Sequence, residues 1–214
     1  HLSFRTKVLK GPKEIGSLMN LVAYKKRIYR KRAIRIRSQL SPSARICRSR
    51  IIMKKIIRSP RFMSASCIAA YISVGSEVET QVILNRILDS GKVLILPRVN
   101  AADGLLLFYR VEDLRLDVSE GYHGIIEPMP KKCPVVPLSD AGMILIPGVL
   151  FSESCERIGY GGGFYDRNLK NANPYAFKVG VGFDFQIIKR IPVSPQDRSV
   201  NAVISETFSY GSDY

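Results

Sequence analysis

The sequence predicts an α/β fold, a sandwich built on a mainly parallel sheet. Short apolar runs bounded by glycine and proline alternate with longer segments of helical periodicity. These runs are continuously apolar, which is typical of strands that are buried on both faces. In such sheets ligands bind beyond the carboxyl ends of the strands. We therefore expect the loops at 73–79, 97–104, 147–163 and 182–186 to gather at one rim.

Two helices are predicted near the N-terminus. Residues 24–39 form the first, in which apolar residues recur at helical spacing. Its predicted buried stripe consists of Tyr29, Ala33, Ile36 and Leu40. The second helix is predicted to begin at Ser41, an N-cap residue followed by a proline, and to end near Ile57.

The remaining elements alternate between strand and helix. The predicted strands cover residues 67–72, 92–96, 105–109, 143–146, 176–181 and 202–205. One helix is predicted at 79–88, and another follows a glycine-rich loop and ends near Lys170. The predicted inner face of the helix at 79–88 consists of Val82, Ile83, Arg86 and Ile87. Residues 110–140 show little periodicity, which predicts loop with short elements.

The positive charge of the chain is concentrated at its N-terminal end. The formal net charge is +15, and residues 1–64 hold 19 Lys and Arg against one acid, Glu14. Such a segment fits a nucleic acid, an anionic cofactor or no specific partner. An Arg-rich, acid-poor start also resembles an organellar presequence. The interpretation we favour is an N-terminal extension at residues 1–23, outside a single domain formed by residues 24–214.

Residue usage argues against several classes of protein. The cysteines are Cys47, Cys67, Cys133 and Cys155. They form no CxxC pair and only two histidines accompany them, so we expect no zinc site but free thiols in a reducing, cytoplasmic setting. No apolar run approaches the roughly 18 residues of a membrane span. A Ser-His-Asp hydrolase is poorly supported, because His123 is the only internal histidine and GxSxG is absent.

The most distinctive stretch is 157–166, Arg-Ile-Gly-Tyr-Gly-Gly-Gly-Phe-Tyr-Asp. Glycines at this density let the main chain approach a ligand closely. A glycine-rich turn that leads into a helix also presents free N–H groups to phosphate. The stretch is neither a Walker A loop nor GxGxxG after a first strand. A flexible surface turn is the alternative, which Arg157 and Asp166 at its two ends disfavour.

Other residues suited to anions and metal lie elsewhere in the chain. Lys26 and Arg30 are i,i+4 neighbours on one helix edge, which Arg37 shares, so they can reach a common anion. Asp166 and Asp197 are candidate magnesium ligands, because Mg²⁺ takes one or two carboxylates and completes its shell with water and substrate phosphates. Asp197 alone is equally suited to capping a turn.

Residues 144–149 followed by 157–166 resemble the signature of the 5-formyltetrahydrofolate cyclo-ligase family. Further segments that match in the same order are 26–30, 71–72, 76–80, 124–128 and 192–197. The resemblance covers residues 24–205. It implies ATP- and magnesium-dependent cyclisation of 5-formyltetrahydrofolate to 5,10-methenyltetrahydrofolate. It also implies a three-layer α/β/α sandwich that resembles the ribose-phosphate isomerase and CoA-transferase fold. We expect a monomer that binds folate and ATP, with no nucleic-acid or membrane partner.

The resemblance also implies roles for particular residues. ATP would be held by Lys26, Arg30, Arg157, Ile158, Gly159, Tyr160, Gly161, Gly162, Gly163, Phe164 and Tyr165. Folate would contact Ile72, Glu77, Tyr160, Gly161, Gly162, Gly163 and Phe164. Magnesium would be held by Asp166 and Asp197. As catalytic residues, Lys26 and Arg157 would stabilise the transferring phosphoryl group, and Glu77 would orient the formylated nitrogen region.

The chain departs from the family pattern at three positions. Ser152 and Cys155 stand where Asp and Gly are common in the family, and Asn201 stands where a second Asp is common. Two other functions compete with the cyclo-ligase hypothesis. A nucleic-acid-binding module would use the basic N-terminal helices but leave the glycine loop without a role. A relative acting on sugar phosphates or CoA esters would leave Lys26 and the glycine loop unexplained.

Overall fold

The computed structural model describes residues 12–100 and 102–211, with side chains described from Met19 onward. The helices are α1 (Pro12–Arg37), α2 (Pro42–Ile57), α3 (Pro60–Ser64), α4 (Gln81–Asp89) and α5 (Phe164–Asn168). Short 3-10 turns lie at Tyr122–Gly124, Leu138–Asp140, Leu169–Asn171 and Asp184–Gln186. Within the described ranges, no helix has the length and apolar character that crossing a membrane requires.

The strands form one large sheet and two small ones. They are β1 (Cys67–Ala69), β2 (Val93–Asn100), β3 (Leu105–Val111), β4 (Val118–Glu120), β5 (Ile126–Pro128), β6 (Met143–Pro147), β7 (Leu150–Ser152), β8 (Arg157–Ile158), β9 (Phe177–Val181), β10 (Ile187–Ile188), β11 (Ala202–Ile204) and β12 (Ser209–Gly211). The large sheet has the order β12-β11-β9-β6-β1-β2-β3, while β10-β7-β8 and β4-β5 are separate. The five inner strands of the large sheet are parallel and both edge strands are antiparallel. The predicted α/β fold with a mainly parallel sheet is confirmed.

Strand β6 shows why the apolar runs are continuous. Met143 and Leu145 face one side of the sheet, Ile144 and Ile146 face the other, and all four are fully buried. Helices α2 and α4 supply apolar side chains to the core on the first side. Strand β7 and the 3-10 turn at Leu169–Asn171 supply apolar side chains to the core on the second. A strand covered on both faces has no polar side to alternate with.

Helix α2 has the bounds that its capping residues predict. The Ser41 hydroxyl accepts a hydrogen bond from the Ala44 backbone N–H at 3.2 Å, and Pro42 occupies the first turn. Ile52, Met53 and Ile56 of the helix are fully buried against the sheet.

Helix α1 begins earlier than predicted. It starts at Pro12, so residues 12–23 of the predicted N-terminal extension continue the helix. Residues 1–11 of that extension lie outside the described part of the chain.

The predicted buried stripe of the first helix is only partly confirmed: Ala33 is buried and Leu40, after the end of α1, is partly buried against the core. Tyr29 and Ile36 of the predicted stripe are exposed to 38 and 39%. From Met19 to the end of α1, the buried residues are Ala33 and Arg37, and Arg37 belongs to the helix edge that carries the predicted cations. The reason is that α1 lies over a pocket at the rim of the sheet, and the side chains of α1 that line this pocket are the cations Lys26, Arg30 and Arg37.

The buried face of helix α4 differs from the predicted one at three positions. Ile83 and Ile87 are buried as predicted, but Val82 and Arg86 are exposed and Leu84 is buried with the isoleucines. Several short elements had no sequence prediction, among them α3, β12 and the small sheet of β7, β8 and β10. Elements of two to five residues carry too few positions for a period to be recognised.

Candidate active site

One pocket of about 1150 Å³ lies at the carboxyl ends of β1, β2 and β6, beneath the inward face of α1. Every residue predicted for the site lines it: the helix cations, Ile72, Glu77, the whole stretch 157–166 and Asp197. Three of the four predicted rim loops contribute to its walls, but 182–186 does not. That loop instead supports the rim, because buried Gln186 donates from Nε2 to the Val149 carbonyl at 2.9 Å.

The glycine stretch forms a tight loop between β8 and α5. Gly161 has φ +110° and Gly163 has φ +65°, a region that disfavours residues with a Cβ atom. A Cβ on Gly161 would lie 3.4 Å from Cζ of Arg30, and one on Gly163 would lie 2.8 Å from Nη1 of Arg167. The glycines therefore let the loop adopt this path and let arginine side chains pack directly against it.

The helix after the loop is shorter than predicted. Helix α5 has five residues and passes into a 3-10 turn at Leu169–Asn171 instead of continuing to Lys170. Few peptide dipoles align in one turn of helix, so its macrodipole is weak. Positive potential around the loop comes mainly from side chains.

Two ion pairs join the predicted cations to the predicted metal ligands. Arg157 donates from Nη2 to Oδ1 of Asp166 at 2.7 Å, and its own side chain is 3% exposed. Lys26 forms an ion pair with Asp197 and donates to the Ser194 hydroxyl at 2.9 Å. Each carboxylate thus lies beside a cation that neutralises it in this structure.

Arg30 bridges α1 and the glycine loop. Its Nε donates to the carbonyl oxygen of Gly159 at 2.7 Å. Burial lowers the pKa of Arg30, but an arginine pKa is high enough for the guanidinium to stay protonated. The loop is therefore held by a permanent cation that also lines the pocket.

Glu77 is a carboxylate buried in the wall of the pocket, 6% exposed. Its Oε2 accepts a hydrogen bond from the Val74 backbone N–H at 2.8 Å, and Tyr160 also hydrogen-bonds to the carboxylate. Burial raises the pKa of Glu77, while these two bonds and the nearby charge of Arg37 counter that rise. Burial and the adjacent Glu77 charge raise the pKa of Tyr160 well above its ordinary range, so Tyr160 is a neutral donor.

Two buried side-chain polar atoms in the described structure have no hydrogen-bond partner: Nε of Arg157 and the hydroxyl oxygen of Tyr165. Both residues line the pocket, and the Arg157 guanidinium lies 5.9 Å from the centre of the Tyr165 ring. Buried polar groups in folded proteins almost always have partners. The N–H group of Arg157 and the O–H group of Tyr165 are donors without an acceptor beside one cavity. They indicate a binding site for a ligand that carries hydrogen-bond acceptors.

The sequence did not single out three residues that the structure places at the pocket. Arg37 was recognised as part of the cationic edge but not as a site residue, although it is 3% exposed and reaches the glycine loop. Arg167 donates to the Gly162 carbonyl at 2.8 Å. Glu127 is a buried carboxylate that accepts from the backbone N–H of Val99 at 3.1 Å. The segment 124–128 that contains Glu127 matched the family pattern, but no role was predicted for Glu127 itself.

The three departures from the family pattern have structural explanations. Ser152 is buried and its hydroxyl donates to Glu156 at 2.8 Å, which closes the turn before Arg157. Cys155 adopts φ +63°, a conformation that glycine would adopt without strain. Asn201 lies outside the pocket lining, where it pairs through Oδ1 with the Lys178 backbone N–H at 2.8 Å.

The fold and pocket define a class of α/β enzyme whose candidate ligand site lies beyond the carboxyl ends of its strands. A sequence profile of the 5-formyltetrahydrofolate cyclo-ligase family matches residues 22–206. The chain belongs to the 5-formyltetrahydrofolate cyclo-ligase family.

Individual relatives agree with this assignment. The chain is 31% identical over 153 residues to the 5-formyltetrahydrofolate cyclo-ligase of Escherichia coli K12, which covers 71% of this chain and 84% of that protein. It is 26% identical over 220 residues to a mitochondrial 5-formyltetrahydrofolate cyclo-ligase of Arabidopsis thaliana, covering 92 and 78%. The NMR structure of Aquifex aeolicus 5,10-methenyltetrahydrofolate synthetase superposes with a TM-score of 0.77 at 30% identity, covering 87 and 92%.

Proposed function

We propose that this chain cyclises 5-formyltetrahydrofolate to 5,10-methenyltetrahydrofolate and uses MgATP, which is released as ADP and phosphate. The observation that carries this proposal is one pocket in which arginine and lysine side chains lie next to an apolar wall with a buried carboxylate. Membership of the cyclo-ligase family supports the choice of substrate.

The size of the pocket supports two ligands bound together. Single small-molecule sites occupy about 300–1,000 Å³, and this pocket measures about 1150 Å³. A folate and a nucleotide whose reacting groups must meet require one continuous cavity. Closed contact between the two also excludes water, which would otherwise hydrolyse an activated intermediate.

The cationic part of the pocket is assigned to ATP. Lys26 and Arg30 from α1, Arg157 from β8 and the backbone of the glycine loop through Tyr165 surround it. Phosphoryl transfer asks a protein mainly for positioning and for neutralisation of charge. Nε of Arg157 and the Tyr165 hydroxyl, which have no partner in the structure, are suited to phosphate oxygens.

Asp166 and Asp197 are assigned to magnesium. Both are oxygen donors, as Mg²⁺ prefers, and both line the pocket. No cluster of three or more His, Cys, Asp or Glu suited to a metal occurs in the described residues. Two carboxylates suit an ion that arrives with the phosphates of its nucleotide, and Lys26 and Arg157 would then turn from these carboxylates to the phosphates. Bound Mg²⁺ would supply further neutralisation of phosphate charge.

The folate part of the pocket is assigned to Ile72, Glu77 and the segment from Tyr160 to Phe164. Apolar side chains from β2, including Leu96 and Val99, continue this wall. Glu77 orients the formylated nitrogen region because its carboxylate is an acceptor held in place by Val74 and Tyr160.

The reaction then balances without a nucleophilic side chain. The formyl oxygen attacks the γ-phosphorus, a new O–P bond forms, and the bond to the leaving ADP oxygen breaks. N10 attacks the activated formyl carbon and loses its proton, and the C–O bond breaks with release of phosphate. The protein aligns the reactants and stabilises the charge that moves between them.

We also propose that the chain acts as a monomer in the cytoplasm. Gel filtration with light scattering would test the first point and fractionation of cells the second. A stable dimer at working concentration would contradict the first, and recovery of the chain in organelles would contradict the second.

The decisive experiment measures the absorbance of the methenyl product from 5-formyltetrahydrofolate, with and without MgATP. We expect product only with MgATP, and one ADP for each methenyl group formed. Arg157→Ala should abolish most of the turnover, whereas Arg86→Ala, which removes an exposed arginine of α4, should not. Product formation that does not depend on ATP would refute the proposal.

A further inference from the structure

Arg37 is a buried cation with no role in the reaction described above. It is the last residue of α1, it lines the pocket, and 3% of its surface is exposed. The exposed arginines of the same helix include Arg35, two residues earlier. A guanidinium removed from water must be compensated by hydrogen bonds or opposite charge. The compensation at Arg37 shows what this side chain holds together.

The hydrogen-bond partners of Arg37 belong to two different segments of the pocket wall. Its Nε donates to the Ser76 hydroxyl at 3.0 Å, in the turn after β1. Its Nη2 donates to the hydroxyl of Tyr160 in the glycine loop, and its guanidinium lies 5.5 Å from the centre of that ring. One side chain therefore joins the helix, the turn before Glu77 and the glycine loop.

The Tyr160 hydroxyl continues this connection to Glu77. It accepts from Arg37, which has no acceptor atoms, so its own proton is free to be donated to the Glu77 carboxylate. Tyr160 also keeps about half of its surface exposed, and it lines the pocket. The order of donation is Arg37 to Tyr160 to Glu77.

We propose that Arg37 is a positioning residue, which acts through Tyr160 and Ser76 to hold Glu77 and the Tyr160 ring in the geometry that binds folate. This inference rests on the proposed function, because it takes the ligand beside Glu77 to be the folate. It predicts that loss of Arg37 weakens use of folate more than use of ATP.

The charge of Arg37 also acts on the ionisation of Glu77. The groups that face this carboxylate are Arg37 of α1, Tyr71 after β1, Tyr160 of the glycine loop and Tyr165 of α5. Arg37 is the cation among them and lowers the Glu77 pKa against the effect of burial. Removal of Arg37 raises the pKa of Glu77, so on acidification Glu77 becomes protonated at a higher pH than in the wild type. The acid limb of the kcat/KM profile therefore moves to higher pH.

The test compares Arg37→Leu, Arg37→Lys and the matched control Arg35→Leu in the methenyl assay. Arg37→Leu should raise the KM for 5-formyltetrahydrofolate about tenfold or more, with a smaller change for ATP. The acid limb should shift upward. Arg37→Lys should return the acid limb to its wild-type pH, because it restores the positive charge. It should return the folate KM only part of the way, because one ammonium group cannot reproduce the guanidinium contacts with both Ser76 and Tyr160. Arg35→Leu should change neither quantity.

A double-mutant cycle with Tyr160→Phe separates positioning from a general loss of stability. If Arg37 acts through Tyr160, its substitution should have a much smaller further effect on the folate KM in the Tyr160→Phe background. Additive effects would overturn the inference, as would an Arg37→Leu enzyme that behaves like Arg35→Leu. If Arg37→Leu does not fold, the test rests on Arg37→Lys, and an Arg37→Lys enzyme with the same folate KM as the wild type would overturn the inference. A wild-type enzyme that forms no product with MgATP rejects the proposed function itself, and the inference with it.

Discussion

Nε of Arg30 donates to the carbonyl oxygen of Gly159 at 2.7 Å, although the two residues lie 129 positions apart in the chain. This bond ties the first helix to the loop whose glycines expose the backbone to the pocket. Both residues were predicted to bind ATP, which stays a prediction, and the bond shows that they are in contact at the pocket. The cation of α1 and the loop from β8 are parts of one wall.

Arg30→Met should therefore weaken both the loop and the binding of ATP. Hydrogen bonds to charged groups contribute about 1.5–3 kcal/mol, which corresponds to roughly a 10- to 100-fold rise in the KM for ATP. Arg32→Met is the matched control, because Arg32 is exposed on the same helix. Steady-state kinetics with varied ATP would measure the effect. Equal KM values for the two variants would contradict a role for Arg30.

The central sheet and its helices were predictable because their signals are local and long. Strand β6 is a continuous apolar run before Pro-Gly, and Ser41 with Pro42 marks the start of α2. The face of α1 was not predictable in the same way. Apolar spacing predicts burial against a core, but this helix covers a cavity, and its partly and fully buried residues include Lys26 and Arg37, which line that cavity.

The residues that line the candidate site could be predicted from the sequence, but the ion pairs between them could not. The glycine stretch, the helix cations and both aspartates stand out by residue type, and all of them line one pocket. Nothing in the sequence indicates that Lys26 pairs with Asp197 or Arg157 with Asp166. Such contacts depend on how loops that are distant in the chain pack together at the rim, and no local sequence pattern indicates that packing.

Cys155 offers a test of backbone strain beside the site. It adopts φ +63° in the turn before Arg157, and a left-handed conformation costs a residue with a Cβ atom about 1–2 kcal/mol. Cys155→Gly should relieve that cost, while Cys155→Ala removes the thiol and keeps the strain. The glycine variant should therefore unfold with a free energy about 1 kcal/mol higher than the alanine variant, by urea denaturation. An alanine variant as stable as the glycine variant would show that the turn is unstrained.

Magnesium should bind to this protein only together with the nucleotide. Titration calorimetry of Mg²⁺ into the protein alone should give no binding heat, and a non-hydrolysable ATP analogue should restore it. The reason is that Asp166 and Asp197 are each paired with a cation, and in the proposed function the phosphates would draw these cations away.

Asp166→Asn should raise the Mg²⁺ concentration needed for half-maximal turnover about tenfold or more, since it removes one of two charged ligands. Asp89→Asn, at an exposed position on α4, is the control. Tight binding of Mg²⁺ without nucleotide would contradict the assignment of these two carboxylates.

Glu77 should make the stability of the protein depend on pH in a defined direction. Burial raises its pKa in the folded state above the ordinary value of 4.5. Between that value and the folded-state pKa the native protein binds more protons than the unfolded chain, so stability falls as pH rises. The contribution is therefore fully present below pH 4.5 and is lost as the pH rises through the folded-state pKa.

Glu77→Gln removes the titration of this carboxyl group and serves as the reference. The free energy of unfolding of the wild type, minus that of the variant, should decrease across this window and then become constant. In the Tyr160→Phe background the window should extend to higher pH, because a hydrogen bond that lowers the Glu77 pKa is gone. Denaturant titrations at a series of pH values measure both quantities, and a difference that rises with pH would mean that burial does not dominate at this carboxylate.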